Sequence, residues 1–88
     1  MERIEVEVYS DATNLAVLRF PGREFPGSLI QGDTLSGLLG LASSIRSRAA
    51  KTPDTELREE SEELVCRLEE RLRVYEDALA RHGIRLPY

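Results

Sequence analysis

Residues 54–82 hold about 29 consecutive positions of helical spacing, about a third of the chain, and the run stops at Gly83. Its apolar positions are Leu57, Leu64, Leu68, Leu72, Tyr75 and Leu79, with Val65, Val74 and Ala78 widening the stripe. Gly83 suits the C′ position of such a helix. Lys51-Thr52-Pro53-Asp54 breaks the chain before it, with Pro53 in the first turn and Thr52 as the cap. Glu63–Arg67, Glu69–Arg73 and Asp77–Arg81 are favourable i, i+4 pairs on the wet side. Such a helix spans about 43 Å, whereas an 88-residue globule is only about 30 Å across. It must overhang, break, or pack against a second copy. Thr55 to Glu63 contain one apolar residue and can overhang; from Leu64 onward the stripe demands a surface.

The rest of the chain predicts a small sheet and one more helix. Ile4, Val6 and Val8 alternate with Arg3, Glu5, Glu7 and Tyr9, the period of a strand with one wet face. Ser10 to Asn14 is turn chemistry, and Leu15 to Phe20 reads as a second strand closing an antiparallel hairpin. Pro21-Gly22 and Pro26-Gly27 predict two successive bends, with Arg23 and Glu24 facing solvent between them. That loop is either a rigid connection or a recognition surface. Ser28 to Gln31 is a short strand, and Asp33 or Thr34 caps a helix carrying Leu35, Leu38, Leu39, Ala42, Ile45 and Ala49. Gly37, Gly40, Ser44 and Ser47 line another side of it, which suggests close backbone packing, on the sheet or on a partner helix. The fold class is therefore α+β, βββαα, in one domain over 1–88. It comprises a 1–50 βββα core, a long acidic helix over 54–82, and an extended tail over 83–88 that could add a short fourth strand.

Composition narrows the function. Hydrophobic residues make up 41% of the chain, enough for a globular fold. No apolar run reaches membrane-spanning length, and Met1 to Glu5 lacks the apolar run of a signal peptide. A single cysteine, Cys66, allows no internal disulfide, so a reducing cytoplasm is the expected location. Residues 1–53 hold six acids and six bases, and 54–88 hold ten acids and six bases, within a net charge of −4. Either those acids keep a surface solvated, or they suit a basic protein; a polyanion would need clustered Lys and Arg.

Chemistry is poorly supplied. Cys66 lies among Glu62, Glu63, Glu69 and Glu70, which disfavour a thiolate. His82, the one imidazole, falls in the last helical turn, where its charge helps the helix dipole. Metal centres, serine triads and phosphate loops all need groups that are missing here. The expectation is no catalytic residue, no cofactor and no metal.

The stretch Phe20-Pro21-Gly22-Arg23-Glu24-Phe25-Pro26-Gly27-Ser28-Leu29-Ile30-Gln31-Gly32-Asp33-Thr34-Leu35 resembles the core of HicB-type antitoxins, a bacterial family. Tyr75 to Leu79 followed by Gly83-Ile84-Arg85-Leu86-Pro87 is similar to the helix end and proline-bearing tail of that family. The resemblance implies a degraded RNase-H-like domain that has lost catalysis and binds a small basic RNase toxin. Residues 46–73 read as an insertion, and no operator-binding helix motif follows, so specific DNA binding is not expected.

Three functions remain open: an antitoxin- or immunity-like module that neutralises a small basic partner, a self-associating structural or regulatory subunit, and a small-ligand sensor. The interface residues expected are Arg23 and Glu24 on the loop, and Leu64, Leu68, Leu72, Tyr75 and Leu79 on the long helix. A homodimer through that helix is expected, with Leu68→Glu disruptive and Glu60→Lys neutral. The alternative is a monomer whose two helices form a hairpin over one face of the sheet.

Overall fold

The computed structural model describes residues 1–12 and 15–88. The chain is α+β in the order βββαα, with β1 Glu7–Ser10, β2 Val17–Arg19, β3 Gly27–Ser28, α1 Gly32–Ala49 and α2 Thr55–Arg81. It divides into two compact units, Met1–Gln31 and Gly32–Tyr88. The division follows β3 rather than residue 50, so α1 belongs with α2.

The first unit is an antiparallel sheet in the order β1-β2-β3. Glu7 pairs with Arg19 and Val8 with Leu18; a bulge between Val8 and Ser10 brings Ser10 opposite Val17. Val17 and Leu18 pair in turn with Ser28 and Gly27, and the Leu29 amide donates to the Ala16 carbonyl at 2.9 Å. All three strands are shorter than the sequence predicts. A strand extends only as far as its neighbour offers hydrogen-bonding groups, and β3 is cut short by Pro26 before it. The expected turn through Ser10–Asn14 falls partly on Thr13 and Asn14, outside the described residues. Pro21-Gly22 does bend the chain: Gly22 has φ +82°, and the Arg23 amide donates to the Phe20 carbonyl at 3.2 Å. Proline then positive-φ glycine at the two central positions is the pattern of a type II turn. The second bend falls at Glu24 and Phe25, not at Pro26-Gly27, because Gly27 is already a strand residue held by Leu18.

The second unit is a helical hairpin. The buried residues of α1 are Gly32, Leu35, Ala42 and Ala49, and those of α2 are Ser61, Val65 and Leu72. Leu35, Ala42 and Ala49 are spaced by sevens, so they stay on one side of the helix, facing α2. The helices approach tightly at Gly32, since a Cβ there would overlap the Tyr75 ring. Tyr75 thus lies level with the start of α1, and α2 overhangs at its C-terminal end. Residues 55–63 do not overhang freely, because Ser61 is buried and its hydroxyl donates to the Arg58 carbonyl at 3.0 Å.

The helix ends correct two expectations. Asp54, not Thr52, caps α2: its Oδ1 accepts the Leu57 amide at 3.1 Å. The Thr52 hydroxyl donates instead to the Ala49 carbonyl at 2.9 Å, closing the end of α1. α1 begins one residue before Asp33, whose Oδ1 accepts the Thr34 amide at 2.8 Å. Gly83 stands at C′ as expected, with φ +66°. Its amide donates to the Ala80 carbonyl and that of Ile84 to the Leu79 carbonyl, the two bonds of a Schellman motif. Residues 84–88 form no strand, and the Tyr88 hydroxyl donates to Glu76 at 2.9 Å. Gly37 and Gly40 do not mark close packing, since a Cβ at either meets nothing within 4 Å. Of the three i, i+4 pairs expected on α2, Glu63–Arg67 is present at 2.8 Å, and among the described residues Glu69–Arg73 and Asp77–Arg81 are not.

Candidate functional site

A sheet with a buried face must remove apolar side chains from water, and in the first unit this does not happen. None of the described residues in 1–31 is buried, and nine large apolar residues there are 43–90% exposed. Alternation puts Val8, Leu18 and Phe20 on one face of the sheet, with Glu7, Val17 and Arg19 on the other. On the apolar face Leu18, Phe20, Arg23, Phe25 and Gly27 line a concavity of about 280 Å³. The type II turn positions Phe20 and Arg23, and the bend at Glu24-Phe25 presents the second ring.

The opposite face carries an ion pair that holds the loop. Arg19 donates through Nε (2.8 Å) and Nη2 to Oε1 of Glu7, its register partner on β1. Its Nη1 reaches the Glu24 carbonyl at 3.4 Å, tying the sheet to the Pro-Gly segment. The bond to Glu7, and then the charge of that carboxylate, hold the guanidinium pKa above its usual value. A bound Arg and a proline-set turn make this loop preorganised, which lowers the entropy lost when a partner fixes it.

Of the seven residues expected at an interface, the two on the loop and the five on α2 belong to different units. Arg23 and Glu24 are exposed as expected, but only Arg23 lines the apolar concavity. Leu64 and Leu68 line a second apolar groove, of about 290 Å³, with Leu38, Leu41, Ala42 and Ile45 of α1. Leu72 is buried in the helical hairpin and Tyr75 lies on Gly32. Leu79 is half-buried, its carbonyl taken by the Schellman motif. Leu72 is therefore removed from the candidate surface, whereas Tyr75 and Leu79 keep part of their area exposed. Phe20, Phe25 and Leu18 were missed; the doubled Phe-Pro-Gly was their signal, read for its bends and not for its rings.

Reactive groups do not gather anywhere described. Cys66 is exposed and donates to Glu62 at 3.7 Å; lost solvation, then the Glu62 and Glu69 charges, push its thiol up, against a smaller pull from Arg46. A depression along Thr55, Arg58, Glu59, Glu62, Glu63 and Cys66 is lined by one helix stripe and so lacks a second wall. Among the described residues, no three His, Cys, Asp or Glu side chains could hold a metal ion together. Among the described residues, no helix is long and apolar enough to cross a membrane.

One family profile matches the chain over residues 1–88, and it is described as a family of unknown function, DUF6959. The chain belongs to DUF6959. No curated protein matches it, and no solved structure does.

Proposed function

We propose that the chain is a non-catalytic protein-interaction module that covers a partner protein with the apolar face of residues 1–31. The observation that carries this is the absence of any buried residue among those described in 1–31, alongside nine exposed large apolar ones. Exposed apolar area on that scale marks a binding surface in a protein that stays monodisperse. The two phenylalanines around a fixed turn are anchors of the kind that dominate interface energies, and Arg23 beside them supplies a rim contact. The chain's net charge of −4 favours a basic partner in the encounter. A narrower reading, neutralisation of a small basic toxin, is supported by the resemblance of Phe20–Leu35 to HicB-type antitoxins.

The test is affinity purification from the native host with the natural chain and with a Phe20→Glu/Phe25→Glu variant. Both side chains are exposed, so helix content should be unchanged. The reading expects a stoichiometric protein that is lost with the variant. A chain that returns alone, or a partner held equally by both, contradicts it.

A further inference from the structure

The groove between α1 and α2 carries an inference independent of the sheet. Leu38, Leu41 and Ile45 of α1, with Leu57, Leu64 and Val74 of α2, are each 40–66% exposed. On α2 the exposed seam runs Leu57, Glu60, Leu64, Arg67, Arg71, Val74, with steps of 3, 4, 3, 4 and 3 residues, the a/d spacing of a two-helix interface. Its order is self-complementary in one direction only. Laid antiparallel on a second copy, Leu57 meets Val74, Glu60 meets Arg71 and Leu64 meets the aliphatic stem of Arg67. Laid parallel, Glu60 would face Glu60 and Arg71 would face Arg71. Within the chain neither Glu60 nor Arg71 has an ion pair among the described residues; Arg71 donates to the Arg67 carbonyl at 3.0 Å.

The same operation explains the small residues of α1. Gly37, Leu41, Ser44 and Arg48 also follow a/d spacing, and antiparallel pairing sets Gly37 against Arg48 and Leu41 against Ser44. The space open at Gly37 then admits a long neighbouring side chain. Taken at roughly 200 Å² per fully exposed large residue, the six apolar residues offer about 600 Å² per copy, or about 1,200 Å² in a pair. That reaches the lower bound for a stable interface before any rim is counted.

We infer that two copies of this chain dock hairpin on hairpin, loops at opposite ends, α1 on α1 and α2 on α2, as an antiparallel four-helix dimer. Glu60, a bystander on the sequence reading, becomes an interface residue. Leu72, expected at the interface, belongs to the hairpin.

Light scattering and cysteine cross-linking test this on the full chain. The natural chain should run at twice 9.9 kDa. Leu41→Glu/Leu64→Glu should run at 9.9 kDa with helical circular dichroism retained, since both side chains are exposed. Glu60→Arg and Arg71→Glu should each weaken association roughly tenfold or more, and the double swap should restore it. In a Cys66→Ser background, Leu57→Cys with Val74→Cys should oxidise to a covalent dimer, while Leu57→Cys alone should not. A natural chain at 9.9 kDa overturns the inference and leaves the groove to a different protein. A dimer indifferent to these variants, or one linked by Leu57→Cys alone, overturns it as well.

Discussion

The two units of this chain solve the problem of burying apolar surface in opposite ways. Gly32–Tyr88 buries Leu35, Ala42, Ala49, Val65 and Leu72 between two antiparallel helices, fastened at one end by Gly32 under the Tyr75 ring. Met1–Gln31 has main-chain rungs, one cross-strand ion pair and a rigid turn, yet none of its described residues is buried. Small sheets seldom hold without a packed apolar face. The helical unit owns a core, and the sheet presents the side chains from which one could be built.

The sharpest way to break that contrast is to truncate one apolar residue in each unit. Leu72→Ala should cost roughly 2–5 kcal/mol, because the hairpin cannot collapse around the hole. Phe25→Ala should cost less than about 0.5 kcal/mol, because its ring already sits in water. Urea unfolding followed by circular dichroism reads both. Comparable losses would mean that the sheet hides a core of its own.

Glycines sharpen the comparison within the helices. Gly32→Val should destabilise by roughly 1–3 kcal/mol, since its side chain competes with the Tyr75 ring. Gly40→Ala should stabilise by about 0.5–1 kcal/mol, since the new methyl meets nothing within 4 Å and the helix loses a flexible residue. The same melts distinguish them, and a reversed order would displace the tight contact from Gly32.

The smallest effect concerns the tail. Partial burial of the Tyr88 ring, then its bond to Glu76 and the charge of that carboxylate, push its pKa up to about 12 from 10.0. A raised folded value means that the tail contact is fully present below pH about 10 and is lost as pH rises towards about 12. Glu76→Gln should bring the Tyr88 titration back towards 10.0, read by phenolate absorbance. An unchanged titration would remove Glu76 as its partner.

Much of the architecture was legible because it rests on local rules. Element order followed from alternation, from the break at Lys51–Asp54 and from Gly83. The missing parts are relations between distant residues. Nothing in the alternation of Arg3–Tyr9 says that Glu7 faces Arg19, and nothing near Gly32 announces a ring forty-three residues later. The long stripe of α2 was read as one surface, yet α1 takes Leu72, and Gly32 takes Tyr75. Leu64 and Leu68 stay with an outer groove shared with Leu38, Leu41, Ala42 and Ile45 of α1. Thr52 looked like a cap because its type suits one; Asp54 won because its side chain reaches the Leu57 amide.

Residue-resolved amide exchange of the purified chain tests the contrast between the units most directly. Amides of α1 and α2 should exchange only with unfolding of the hairpin, and those of β1, β2 and β3 should exchange at least about a hundredfold faster through local opening. Strand amides as protected as those of α2 would contradict the account, because they would show a sheet that needs no partner to hold it.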